Sequence, residues 1–78
     1  MTQQHNGYWI SGTAVPGPPY TTYWNPSGDV SFQRTNGSVV ELVRFTLDSF
    51  ELADDGVAEW FGLEPARIVV DECIKYRL

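Results

Sequence analysis

The stretch from Asp48 to Tyr76 carries the only helix-length apolar period in the chain, and everything else has to fit around it. Asp48-Ser49-Phe50-Glu51 sets a capping residue three positions before a Glu, an arrangement in which each side chain satisfies a free backbone N–H of the other at a helix start. Phe50, Ala53, Val57, Trp60 and Phe61 then recur at three- and four-residue steps and share one helical face. That face is expected to enter the core, with Trp60 as its largest member. Glu51, Asp55 and Glu59 follow one another at i, i+4 on a different face. Gly56 interrupts the pattern at about 1 kcal/mol relative to Ala. Gly62 offers a helix end, and Pro65 opposes continuation.

Beyond Pro65 two readings compete. As a strand, Ile68, Val70, Ile74, Tyr76 and Leu78 fall on one side, broken only by Glu72, and Arg67, Asp71, Lys75 and Arg77 on the other. As a helix, Ala66, Val69, Val70 and Cys73 line a face that runs into Arg77. The β-branched run Ile68, Val69, Val70, Ile74 leans toward the strand, which is the reading adopted.

Ahead of the helix the chain alternates with period two. Residues 1–6 read as a disordered tail, and 7–78 as one small domain. Tyr8 to Val15 is a first strand, and Pro16-Gly17-Pro18-Pro19 a turn. A proline-rich ligand for WW- or SH3-type domains is the alternative for that segment, although Pro-Pro-Tyr lacks the usual spacer residue. Tyr20 to Trp24 is a short strand, Asn25-Pro26-Ser27-Gly28 a turn, and Asp29 to Thr35 a third strand. Asn36-Gly37 predicts a two-residue type I′ hairpin into Ser38 to Leu47. The expected fold is α+β: an antiparallel four- to five-stranded sheet, β-β-β-β-α-β, with one amphipathic helix packed on one face. Several strands place large apolar groups on both sides, Trp9 against Ile10 and Tyr23 against Trp24 among them. One helix covers one face, so an open apolar patch is expected on the other.

Composition narrows function. With ten acids against five bases the net charge is −5, which makes free nucleic acid or an anionic membrane a poor partner. Nine of the ten acids lie from Glu41 onward. One cysteine, Cys73, fits a reducing compartment. The polar start Met1–Asn6 lacks a signal-peptide pattern, and no run approaches the ~20 apolar residues of a membrane span, so a cytoplasmic location is expected. The one His and one Cys cannot supply the three or four ligands of a zinc or iron site. His5 lies in the expected tail, Cys73 has no activating neighbour, and the adjacent acids Asp54-Asp55 and Asp71-Glu72 point apart. No catalytic residue, metal or cofactor is expected.

Two local resemblances remain. Gly62-Leu63-Glu64-Pro65-Ala66-Arg67-Ile68-Val69-Val70 resembles the helix-to-strand exit of tautomerase-family subunits, which implies local geometry only. Those enzymes use an N-terminal proline, where this chain has Thr2. Ala58, Gly62 and Ile68 resemble the Ala-x3-Gly-x5-Ile skeleton of a helix-turn-helix, which implies a second helix from near Pro65 and DNA as ligand. The preferred expectation is a small acidic non-enzymatic protein–protein interaction module, analogous in class to inhibitors and accessory proteins of phage and mobile elements. Its expected binding residues are Trp9, Tyr23 and Trp24 on an aromatic sheet face and Glu51, Asp55 and Glu59 on an acidic helix. Its partner is another protein, basic in character, or a second copy in a homodimer. A small DNA-binding helix-turn-helix regulator is the alternative.

Overall fold

Asn6 (φ 51°) and Gly7 (φ 87°) both adopt the left-handed conformation that a two-residue hairpin turn demands, and they fold residues 2–5 back onto the following strand. The computed structural model describes residues 1–76 and, for Tyr76, the backbone alone. Its elements are β1 (Thr2–His5), β2 (Tyr8–Pro16), β3 (Trp24–Gln33), β4 (Val39–Thr46) and α1 (Asp55–Tyr76). The strands form one antiparallel sheet in the order β1-β2-β3-β4, and α1 packs against it, an α+β fold.

The expected disordered tail 1–6 is instead an edge strand. The Asn-Gly code read at positions 36–37 operates at positions 6–7. The Met1 ammonium donates to the Gly12 carbonyl at 3.0 Å, and the Gly12 N–H to Met1 at 2.8 Å. Only Gly37 (φ 90°) is left-handed at the second site. There the Gly37 N–H donates to Arg34 (2.9 Å) and the Arg34 N–H to Ser38 (2.8 Å), the three-residue form of hairpin.

Asn25-Pro26-Ser27-Gly28 is not a turn but the first half of β3. Pro26 fits because its missing N–H faces the end of the β3–β4 ladder, where the Leu47 N–H reaches the Pro26 carbonyl at 2.8 Å. Past Leu47 the chain continues alongside β3. Trp24 and Leu52 exchange both backbone bonds (2.7 and 3.0 Å), and the Asn25 amide donates to the Phe50 carbonyl at 2.8 Å. These bonds claim the backbone from 48 to 52, so the helix cannot begin at the expected Asp48 cap. It begins six residues later. Asp54 caps it, accepting the Val57 N–H on its carboxylate and the Ala58 N–H on its carbonyl, both at 3.0 Å.

The helix then continues without a break through Gly62 and Pro65. The expected fifth strand over residues 67–76 is absent, and Arg77 and Leu78 of that expectation lie outside the described residues. The helix–strand exit and the turn of a helix-turn-helix are absent with it. A helix-interior proline costs about 3 kcal/mol. Packing on both sides of Pro65 outweighs that, since Leu63, Ala66 and Val70 are buried against Ile10 and Val30. Tyr8, Val43, Phe45 and Val69 flank this core.

The helix lies very close to β2 and β3. Gly12 and Gly28 are cross-strand partners, and a Cβ on Gly12 would collide with the Glu59 carbonyl. One on Gly28 would meet the Gly62 carbonyl, and one on Gly62 the Ser27 carbonyl. Ala58, Gly62 and Ala66, one turn apart on the buried side of the helix, complete a small-residue track. Gly62→Ala should therefore destabilise the fold by about 2 kcal/mol or more through backbone overlap. Asp54→Ala should cost about 1 kcal/mol through the lost cap. Urea denaturation of the two variants measures both, and equal small losses would refute the close-packing account.

Candidate functional site

Ala58, Gly62 and Ala66, with Leu63 and Val70, take the sheet-facing side, and Val57, Trp60 and Ile68 turn away from it. None of the five residues read as the core face is buried: Phe50, Ala53, Val57 and Trp60 are exposed and Phe61 is half-buried. Trp60 is 50% exposed, Phe50 44% and Val57 43%, so the expected burial of Trp60 is overturned. The period was real, and its direction was reversed by the glycine track. Ile68, 59% exposed, extends the same side two turns further.

The aromatic members touch one another. Phe61 lies edge-on to Trp60 with ring centroids 5.5 Å apart, and tilted against Phe50 at 6.0 Å. Such contacts add about 0.5–1.5 kcal/mol per pair beyond area burial, which favours this arrangement of the rings. Phe50 comes from the segment pinned by Asn25, so β3 fixes one end of the cluster and α1 the other. Acids border the N-terminal end. Asp54 and Asp55 open the helix, and Glu51 adjoins Phe50; all three are exposed. Further along, Glu64 is bound to Arg67 at 2.6 Å, and Arg67 also donates to Gln3 at 3.1 Å.

The six residues singled out from sequence do not converge. Trp9 sits on the helix-free face of the sheet, between Gln4 and Ser31 in register. Trp24 begins β3 on the opposite face, in phase with Pro26 and Gly28, and Tyr23 precedes the strand beside Gly17. Of the acids, Glu51 lies outside the helix and Asp55 in its first turn, while Glu59 is half-buried next to β2. The helix-free face is not the expected apolar patch. It presents Thr2, Gln4, Ser11, Thr13, Asp29, Ser31, Glu41, Arg44 and Thr46, with only Trp9, Val15 and Val39 apolar. The cause is a bulge at Leu42: Val30 pairs with Val43 but Ser31 with Glu41, so Val40 and Val43 share the helix side instead of alternating.

An open hollow of about 520 Å³ lies at the corner of the sheet, lined by Gly7, Tyr8, Phe32, Gln33 and Leu42, with no Asp, Glu, His, Lys or Arg among them. Among the described residues no three potential metal ligands cluster, and no helix is long and apolar enough to cross a membrane. At the tip of the β2–β3 connection Tyr20 is fully exposed. It occupies the third position of a turn closed by the Thr21 N–H on the Pro18 carbonyl at 3.1 Å, with φ 70°. That is a type II turn with Pro19 second and a tyrosine where glycine is usual. No family model matches the chain, and neither a curated protein nor a solved structure is significantly similar to it.

Two stability measurements separate patch from core. Trp60→Ala should cost only about 1 kcal/mol, against roughly 2–5 kcal/mol for Leu63→Ala. The reverse order would return Trp60 to the core. Tyr20→Gly should raise stability by about 0.5–1 kcal/mol, since it relieves a left-handed tyrosine that packs against nothing. A loss in urea midpoint would show that the Tyr20 ring is supported.

Proposed function

We propose that the protein is a non-enzymatic protein–protein interaction module whose contact surface is the outward face of the helix. The supporting observation is that Val57, Trp60 and Ile68 are exposed on a helix whose opposite side is already occupied, with half-buried Phe61 and the exposed Phe50 of the preceding segment in ring contact beside Trp60. An amphipathic surface helix turns one apolar stripe inward and polar residues outward, and a helix apolar on both sides is ordinarily covered on both. Contiguous exposed apolar groups with a polar border mark a docking site more often than they mark surplus. Trp and Phe supply large contact area at low conformational cost, and tryptophan is enriched where binding energy concentrates.

Glu51, Asp54 and Asp55 set the chemistry of the partner. An apolar segment flanked by Lys or Arg would fill the aromatic cluster while placing cations against the acids, and an arginine over the Trp60 ring would add a cation–π contact. The carboxylates also favour the helix N-terminus electrostatically, so both uses of the charge coexist.

Affinity purification from the native host, with wild type and Trp60→Glu side by side, tests the reading. A partner held by wild type and weakened about thirtyfold or more by Trp60→Glu is expected, the scale of a central aromatic anchor. Circular dichroism should show the variant folded. A partner retained equally by Trp60→Glu, or lost instead with Trp9→Ser, would move the surface elsewhere and overturn the proposal.

A further inference from the structure

β4 is the long free edge of the sheet. The helix lies over β2 and β3, leaving the helix-side row of β4 half-covered at Val40, Val43 and Phe45. The bulge gives this edge an unusual symmetry. In the bulge Leu42 and Val43 stand together against Val30, whose side chain faces the helix, and this places Leu42 on the helix side as well. From Val39 to Thr46 the side chains therefore fall open, helix, open, helix, helix, open, helix, open. The pattern reads the same from either end, with its centre between Leu42 and Val43.

The chemistry is arranged about that centre as well. Glu41 and Arg44 stand at equal distances from it on the open face, bridged within the chain at 2.7 Å. Val40 and Phe45 occupy the next pair of positions, on the helix side. The backbone phase agrees. The Leu47 N–H bonds to Pro26, so Phe45 and Val43 direct their amides toward β3, and Thr46 and Arg44 direct theirs outward. Past the bulge the phase shifts by one, and Glu41 and Val39 are the outward residues.

We infer that β4 pairs with β4 of a second copy of this chain about a two-fold axis between Leu42 and Val43, joining two four-stranded sheets edge to edge. In that register Glu41 faces Arg44 of the second copy and Val39 faces Thr46, each a pair whose amides point at one another. Val40 faces Phe45 and Leu42 faces Val43, all on the helix side. Every pair matches in face and in backbone phase. An unbulged strand has amide phase and face alternating together, so it cannot pair with itself about an axis between two adjacent residues. Charged and bulged edges ordinarily deter pairing with foreign strands. Here the charges are complementary to the strand's own reverse, so the edge discriminates in favour of itself. The surface is separate from the helix patch and does not depend on it.

Charge reversal tests this without disturbing the core, because both side chains are exposed and a surface ion pair contributes about 0–1 kcal/mol to folding. Wild type should be a dimer by native mass spectrometry and sedimentation, and Glu41→Arg or Arg44→Glu alone should weaken association about tenfold by setting like charges opposite. An equimolar mixture of the two single variants should form a heterodimer of near wild-type affinity, since two guanidinium groups of one chain then face two carboxylates of the other. The intrachain bridge is broken in both variants, so recovery on mixing reports the contact between copies and not a structural role within one. Trp60→Glu should leave the dimer intact. A monomeric wild type at millimolar concentration, unchanged association in both single variants, absence of recovery on mixing, or a dimer lost with Trp60→Glu would each overturn the inference.

Discussion

Backbone meeting backbone is the constraint on which the arrangement depends. Gly12 and Gly28, side by side on β2 and β3, make a trough with no side chains, and Gly62 lets the helix settle into it. Nothing bulkier fits between the Glu59 carbonyl and β2 or between the Ser27 carbonyl and the helix. Once the helix is seated there, its rotation about its own axis is fixed, because only the side bearing Ala58, Gly62 and Ala66 can face the strands. The exposure of Val57, Trp60 and Ile68 follows from that rotation. A continuous helix through Pro65 also follows, since Leu63 on one side of it and Ala66 and Val70 on the other are buried against the strands.

Part of the fold was legible. Antiparallel strands in a meander, one helix, and the cores of β2 and β4 came from period-two alternation and from turn residues. What misled was local chemistry with two uses. Pro65 and the β-branched run after it argue against helix in an isolated peptide, yet tertiary packing decides such cases. Asn25-Pro26-Ser27-Gly28 has the composition of a turn, but Pro26 sits where a strand tolerates it, and Gly28 is needed for the helix to approach. Asn6-Gly7 carried the same hairpin signal as Asn36-Gly37, and its nearness to the start of the chain disguised it.

The candidate surface was half legible. Spacing alone identified Phe50, Val57, Trp60 and Phe61 as one helical face, but spacing does not say which of two faces the sheet takes. The deciding signal was also present: Ala58, Gly62 and Ala66 recur every four residues, and matching glycines stand at 12 and 28. Glu51 adjoins Phe50 in the chain and Asp55 opens the helix, whereas Trp9 lies on the helix-free face, Trp24 on the other in phase with Pro26 and Gly28, and Tyr23 ahead of the strand.

The trough has a thermodynamic corollary. A helix pressed this near its sheet leaves a slim interlayer, and among the described residues its buried hydrophobic core is Ile10, Val30, Leu63 and Val70 with two alanines. Stability drawn from so little interior hydrocarbon is modest, so any molecule that binds only the native form adds an appreciable fraction to it by mass action. The melting point of such a chain is then a property of the solution as much as of the polypeptide.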